Sequence, residues 1–148
     1  MKTTLADKID ELISGLETEM ANAEQIALNT MLGAYSYRIF NLGNDSNGRQ
    51  IGNYKVGPYK RKRARNGKEV AYVNLDYSSG LRFAIVVENV NGKWVLKFNN
   101  AEAAKIAGYQ HERYKKVIFE PSKEEIAIAK EAFDDYLKEK IQEIFNSW

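Results

Sequence analysis

Apolar residues recur at three- and four-residue spacing through Leu5, Ile9, Leu12, Ile13, Leu16, Met20, Ala23, Ala27, Met31, Ala34 and Tyr35. That spacing keeps one face of an α-helix apolar and predicts a long amphipathic helix over residues 4–40. Thr4, with Asp7 three residues on, caps its start. Asn41-Leu42-Gly43 supplies a stop, because glycine tolerates the left-handed conformation that ends helices. Gly15 and Gly33 are places where the helix could bend or fold back, so one helix and two pieces both remain open. A second stripe, Ile126, Ala129, Phe133, Tyr136, Leu137, Ile141, Ile144 and Phe145, follows Ser122 and Glu125, a capping box. It predicts a long C-terminal helix.

Between the helices the period changes. VAYVNLDY alternates, with Val73, Leu75 and Tyr77 on one side and Tyr72, Asn74 and Asp76 on the other. LRFAIVVENV is rich in β-branched and aromatic residues and leads into Asn91-Gly92, a strong hairpin signal, and then KWVLKF. At least three antiparallel strands are expected, with Ser78 and Ser79 forming a turn between two of them. NNAEAAKIAGYQHERY reads as a short helix opened by Asn99 or Asn100. The fold class is α+β: a long N-terminal helix, an extended basic arm, a small antiparallel sheet with a hairpin, a short helix and a long C-terminal helix. At 148 residues this is a single domain, 1–148. Residues 44–69, rich in Gly, Asn and Ser and without a sustained period, form a projecting loop or arm.

Charge singles out the same segment. Residues 1–43 hold three basic and six acidic side chains, a net −3. Residues 44–68 hold eight basic side chains against Asp45 alone, a net +7, and residues 69–148 hold eleven basic and thirteen acidic, a net −2. The positive field therefore comes from one central stretch with acidic flanks. Lys60, Arg61, Lys62, Arg63, Arg65 and Lys68 lie within PYKRKRARNGKEV, with Arg49, Tyr54 and Tyr59 close by. Basic residues interleaved with aromatics suit single-stranded nucleic acid, an acidic protein surface, or a merely solvated loop tip.

Catalytic chemistry finds little support. The chain has no cysteine, which excludes disulfides, thiolate nucleophiles and cysteine metal sites. His111 is the single histidine and sits in a polar turn, so a two-histidine metal site is excluded. GNDSNGRQ has the glycine spacing of a phosphate loop, but Arg49 and Gln50 stand where Lys and Ser/Thr are required. The pairs Glu124-Glu125 and Asp134-Asp135 alternate with lysines and read as a solvated helix face. The expectation is a protein that is not an enzyme and uses no cofactor or metal. No apolar run is long enough to span a bilayer, and acids replace the apolar stretch of a signal peptide in MKTTLADKIDELISG.

Several stretches, taken in order, carry a family resemblance. They are ALNTMLGAYSYRIFNLG, DSNGRQIGNYKVGPYKRKR, VNLDYSSGLRFAI, NGKWVLKFNNAEAAKIAGYQHERYKKVIFEPSKEE and the final helix. The pattern residues are Ser46, Gly48, Ile51, Gly52 and Tyr54; Asn74, Leu75, Ser79, Gly80 and Leu81; then Phe98, Asn100, Ala103, Glu112, Arg113, Tyr114, Ile118, Phe119, Ser122 and Glu125. The chain resembles phage virion-morphogenesis proteins of the tail-completion or head–tail-connector kind, from phages and prophages of Bacteroides-like bacteria. Ser79-Gly80 departs from the Thr-Gly more usual there. The resemblance implies a structural virion protein of the neck or head–tail joint, assembled in the host bacterial cytoplasm. It implies docking on other copies in a ring and on portal, connector or tail proteins, with possible non-specific DNA contact and no membrane. The alternative is a nucleic-acid-binding protein that uses residues 58–68 on phosphates.

Overall fold

A computed structural model describes residues 2–76 and 80–148. The expected turn at Ser78 and Ser79, and Tyr77 before it, lie outside the described residues. Helix α1 runs unbroken over Leu5–Ser36, so neither Gly15 nor Gly33 divides it. The Thr4–Asp7 capping box is formed in both directions. At its C-terminal end α1 widens into a π-helical turn, Tyr37–Asn41, closed by a bond from the Leu42 N–H to the Tyr37 carbonyl. Widening the helix changes which residues face inward, and the consecutive Arg38, Ile39 and Phe40 are all buried.

Helix α2 is Pro58–Arg65, α3 the single turn Gly80–Phe83, α4 Ala101–Tyr114 and α5 Lys123–Asn146. Strands β1 (Ile85–Val90) and β2 (Lys93–Phe98) form one antiparallel hairpin with Val90 opposite Lys93. Asn91 and Gly92 both take positive φ, as the sequence signal requires for a two-residue turn. The sheet among the described residues has two strands, which corrects the expectation of three. Residues 70–76 form no ladder; the Val73 N–H donates to the Gly52 carbonyl, and the segment wraps Arg63. The Glu69 and Asp76 carbonyls and the Asn74 side chain accept hydrogen bonds from Arg63, and Leu75 adopts a left-handed conformation. LRF, expected to begin the next strand, belongs to α3 instead.

Helix α5 packs antiparallel along α1. The pairing is marked by Arg38 with Glu125, Tyr136 with Glu19, and Ile144 lying 3.7 Å from where a Gly15 side chain would begin. The hydrophobic core sits at one end of this helical hairpin. There Tyr35, Ile39, Phe40, Ile51, Tyr54, Val73, Ile85 and Ile118 pack together. Burial thins toward the opposite end: among the described residues no α1 residue before Ala23 is buried, and none of α5 after Glu125.

Candidate interaction site

The basic segment folds more than its sequence suggests. Gly43 takes φ +67, and the following turn is closed on Asp45, whose buried carboxylate accepts from the Asn47 and Arg49 N–H groups. Those are amides a phosphate loop would need, and here the turn satisfies them itself. Ser46 ties the turn to the Val117 and Glu120 carbonyls. Ile51 and Tyr54 are buried in the core. Pro58 then opens α2, since proline at the first helical position gives up no helical hydrogen bond.

Helix α2 divides the basic run. Arg61, Lys62 and Arg65 are exposed, and Lys60 and Lys68 are half-buried. Arg63 is 0 % exposed. Its guanidinium lies 4.4 Å from the centre of the Tyr54 ring and donates to the Glu69 carbonyl (2.9 Å), Asn74 Oδ1 (3.0 Å) and the Asp76 carbonyl (3.1 Å). Arg63 therefore organises the segment from inside, unlike its neighbours in the run. Tyr54, also expected on the interaction surface, is buried beneath it, whereas Tyr59 and Arg49 are exposed. Just before α2, Val56 is 89 % exposed. The outer surface is thus two apolar side chains, Val56 and Tyr59, set among cations.

The helical hairpin presents the opposite charge. Over residues 5–24 six acidic side chains stand against Lys8. At 100° per residue, Leu5, Ile9, Ile13 and Met20 fall on the stripe that Ala23, Ala27 and Met31 continue. From Ala23 onward the stripe is buried, but Leu5 is 68 % and Ile13 52 % exposed, with Ile9 and Met20 also exposed. On α5, Phe145 and Trp148 stack edge to face and remain exposed nearby, with Lys8 over the Trp148 ring. One neighbouring helix is too little to cover an apolar face of this width.

A buried ion pair fixes the other end of the hairpin. Arg38 Nε and Glu125 Oε2 are 2.6 Å apart, and the remaining Arg38 donors reach the Asn44, Ile118 and Glu120 carbonyls. Burial raises the Glu125 pKa, but hydrogen bonds from Arg38 and from the Ser122 N–H outweigh it, and the carboxyl lies below its ordinary value. Glu125 was expected with Glu124 on a solvated face. Only Glu124 is there, because the capping box and Arg38 draw Glu125 inward. The signal that sequence reasoning missed was the Arg38 position, one turn beyond the apolar stripe. His111 is exposed. Among the described residues no group of His, Cys, Asp and Glu is placed to hold a metal ion, and no helix is long and apolar enough to cross a membrane.

Compared with known proteins, the chain matches no family model, no curated protein and no solved structure.

Proposed function

We propose that this chain is a structural assembly protein that works by docking on further copies of itself, and not by turnover. The observation that carries the reading is the exposed apolar stripe Leu5, Ile9, Ile13 and Met20 within an acidic helix, on a chain whose α2 surface is basic. Two acidic hairpins repel, so the hairpin of one copy is matched by α2 of the next. Val56 and Tyr59 cover the apolar stripe, and Lys60, Arg61, Lys62 and Arg65 meet its acidic rim, their aliphatic stems lying along apolar surface. Contacts between two different surfaces run head to tail and close into a ring when the rotation allows. That is the geometry expected of a neck or head–tail joint protein of a tailed phage, which the family resemblance supports. Portal, connector or tail proteins are then its further partners and the virion its location, with no cofactor involved.

The test is sedimentation velocity on the pure protein at low and moderate salt, with and without a short DNA duplex. A large species independent of DNA, lost in Ile13→Glu, is the expected result. The basic face of α2 also favours a second reading, phosphate binding. In that case a monomer co-sediments with DNA, and its affinity falls with salt at a log–log slope of about −4.5 for five neutralised phosphates. That outcome refutes self-assembly as the primary role.

A further inference from the structure

Val56 and Tyr59 meet the α1 stripe, which leaves the rings at the end of the hairpin without an apolar partner. Phe145 is 48 % exposed and stacks edge to face on Trp148, with ring centres 5.1 Å apart. Beside Tyr59 lies a cavity of about 390 Å³, between the start of α2, α3 and one face of α4. That volume is in the range of drug-sized sites and admits a phenyl ring. Its walls are apolar at Leu81, Ala103 and Ile106, and Ile106 is 39 % exposed, so the apolar lining reaches the outer surface. Glu102 and Arg113, the charged residues of the lining among those described, offset one another. Tyr59 is both a wall of the cavity and part of the α2 surface, so the two are continuous. Charge outside the cavity follows the same division. Lys60, Arg61, Lys62 and Arg65 lie on α2 next to Tyr59. Residues 134–146 of α5 hold four acidic side chains against two basic ones, in keeping with the acidic start of α1. Of the two rings, Phe145 suits an apolar socket better. A phenyl ring needs no hydrogen-bond partner, whereas an indole N–H needs an acceptor, and Lys8 already lies over the Trp148 ring.

We infer that this cavity is the socket for a second copy of the chain, taking that copy's Phe145 against Leu81 and Ile106 while Tyr59 packs on the α1 stripe of the same hairpin. The apolar walls select the ring, and the cations of α2 select the acidic hairpin that carries it. This socket presupposes the self-docking proposed above and adds where the end of the neighbouring hairpin goes.

The chain has no cysteine, so engineered thiols report contacts without background. The experiment mixes full-length Ile106→Cys with full-length Phe145→Cys, oxidises the mixture mildly and reads cross-linked dimer on a non-reducing gel. The mixture should give dimer. Either variant alone should give little, because in a head-to-tail contact neither position meets its own counterpart. Ile106→Cys mixed with Val90→Cys, which lies beside the β-hairpin turn, is the negative control. Sedimentation velocity on the parent and on Phe145→Ala runs alongside, with helical circular dichroism to show that the variant is folded. Phe145→Ala should raise the concentration at which the large species forms by about tenfold or more. A large species with no dimer from the mixture overturns the socket and leaves self-docking standing, as does Phe145→Ala assembling like the parent. Dimer from either variant alone, or from the control, in the same yield as from the mixture also overturns the socket. A parent that stays monomeric at every concentration overturns both.

Discussion

Replacing Arg63 by methionine asks whether the basic run is one surface or a surface built around a buried anchor. The side chain is fully buried and donates to the Glu69 and Asp76 carbonyls and Asn74 Oδ1 at 2.9, 3.1 and 3.0 Å and to the Tyr59 hydroxyl at 3.4 Å, with its guanidinium over Tyr54 at 4.4 Å. Methionine fills much of the space but donates nothing. Each acceptor left without a partner costs about 1–3 kcal/mol, and loss of a desolvated cation–π contact about 2 kcal/mol more. Two terms reduce the sum. Glu69 and Asp76 are only half-buried, so their carbonyls regain water, and removing a buried cation recovers its desolvation cost. The net expectation is about 3–4 kcal/mol, a large share of the roughly 5–15 kcal/mol that holds a domain together. In urea, with a slope of about 2 kcal/mol/M, the midpoint falls by nearly 2 M. The assay is urea unfolding followed by helical circular dichroism, with Arg61→Met on the exposed face of the same helix as the control. That control should lie within about 0.5 kcal/mol of the parent. If Arg63→Met also stays within about 0.5 kcal/mol, or Arg61→Met costs as much, the anchor argument is refuted.

Glu125 provides a pH test. Its folded-state pKa is depressed by Arg38 and the Ser122 N–H, so the stabilisation is present above the ordinary glutamate value and is lost as pH falls through the folded-state value. Below about pH 4.3 the melting temperature should fall, and Glu125→Gln should start lower, by about 3–5 kcal/mol at neutral pH, and fall less steeply. Ile13→Glu, on the exposed part of α1, should change monomer stability by no more than about 0.5 kcal/mol while abolishing the large species in sedimentation. Gly43→Ala should be much costlier than Gly48→Ala. Both positions have positive φ, worth about 1–2 kcal/mol for a non-glycine residue, but a side chain at Gly43 collides with the Val73 carbonyl and lies 2.6 Å from the Tyr72 ring, whereas Gly48 faces open space. Thermal unfolding of the two variants side by side decides it.

The parts legible in the sequence are those whose cause lies within a few residues. The helix starts at Thr4 and Ser122 are capped by residues three positions on, the α1 and α5 stripes repeat with the helical period, and Asn91-Gly92 meets the backbone demand of a tight turn. The acidic and basic segments could likewise be counted directly. The tertiary structure decided what depends on distant partners. Arg63 looks like Arg61 and Lys62 in the sequence, and only the folding of residues 69–76 around it brings three acceptors within reach. The alternating pattern of residues 70–76 signals a strand, but alternation says nothing of a partner strand, and here the Asn74 side chain and the Asp76 carbonyl go to Arg63. Arg38 and Glu125 are far apart in the chain and meet only because α5 lies antiparallel on α1 and the π-helical turn rotates Arg38 inward. Local patterns specify elements because each residue acts on its neighbours. The destination of a buried charge is a long-range choice, settled by which acceptors the fold assembles around it.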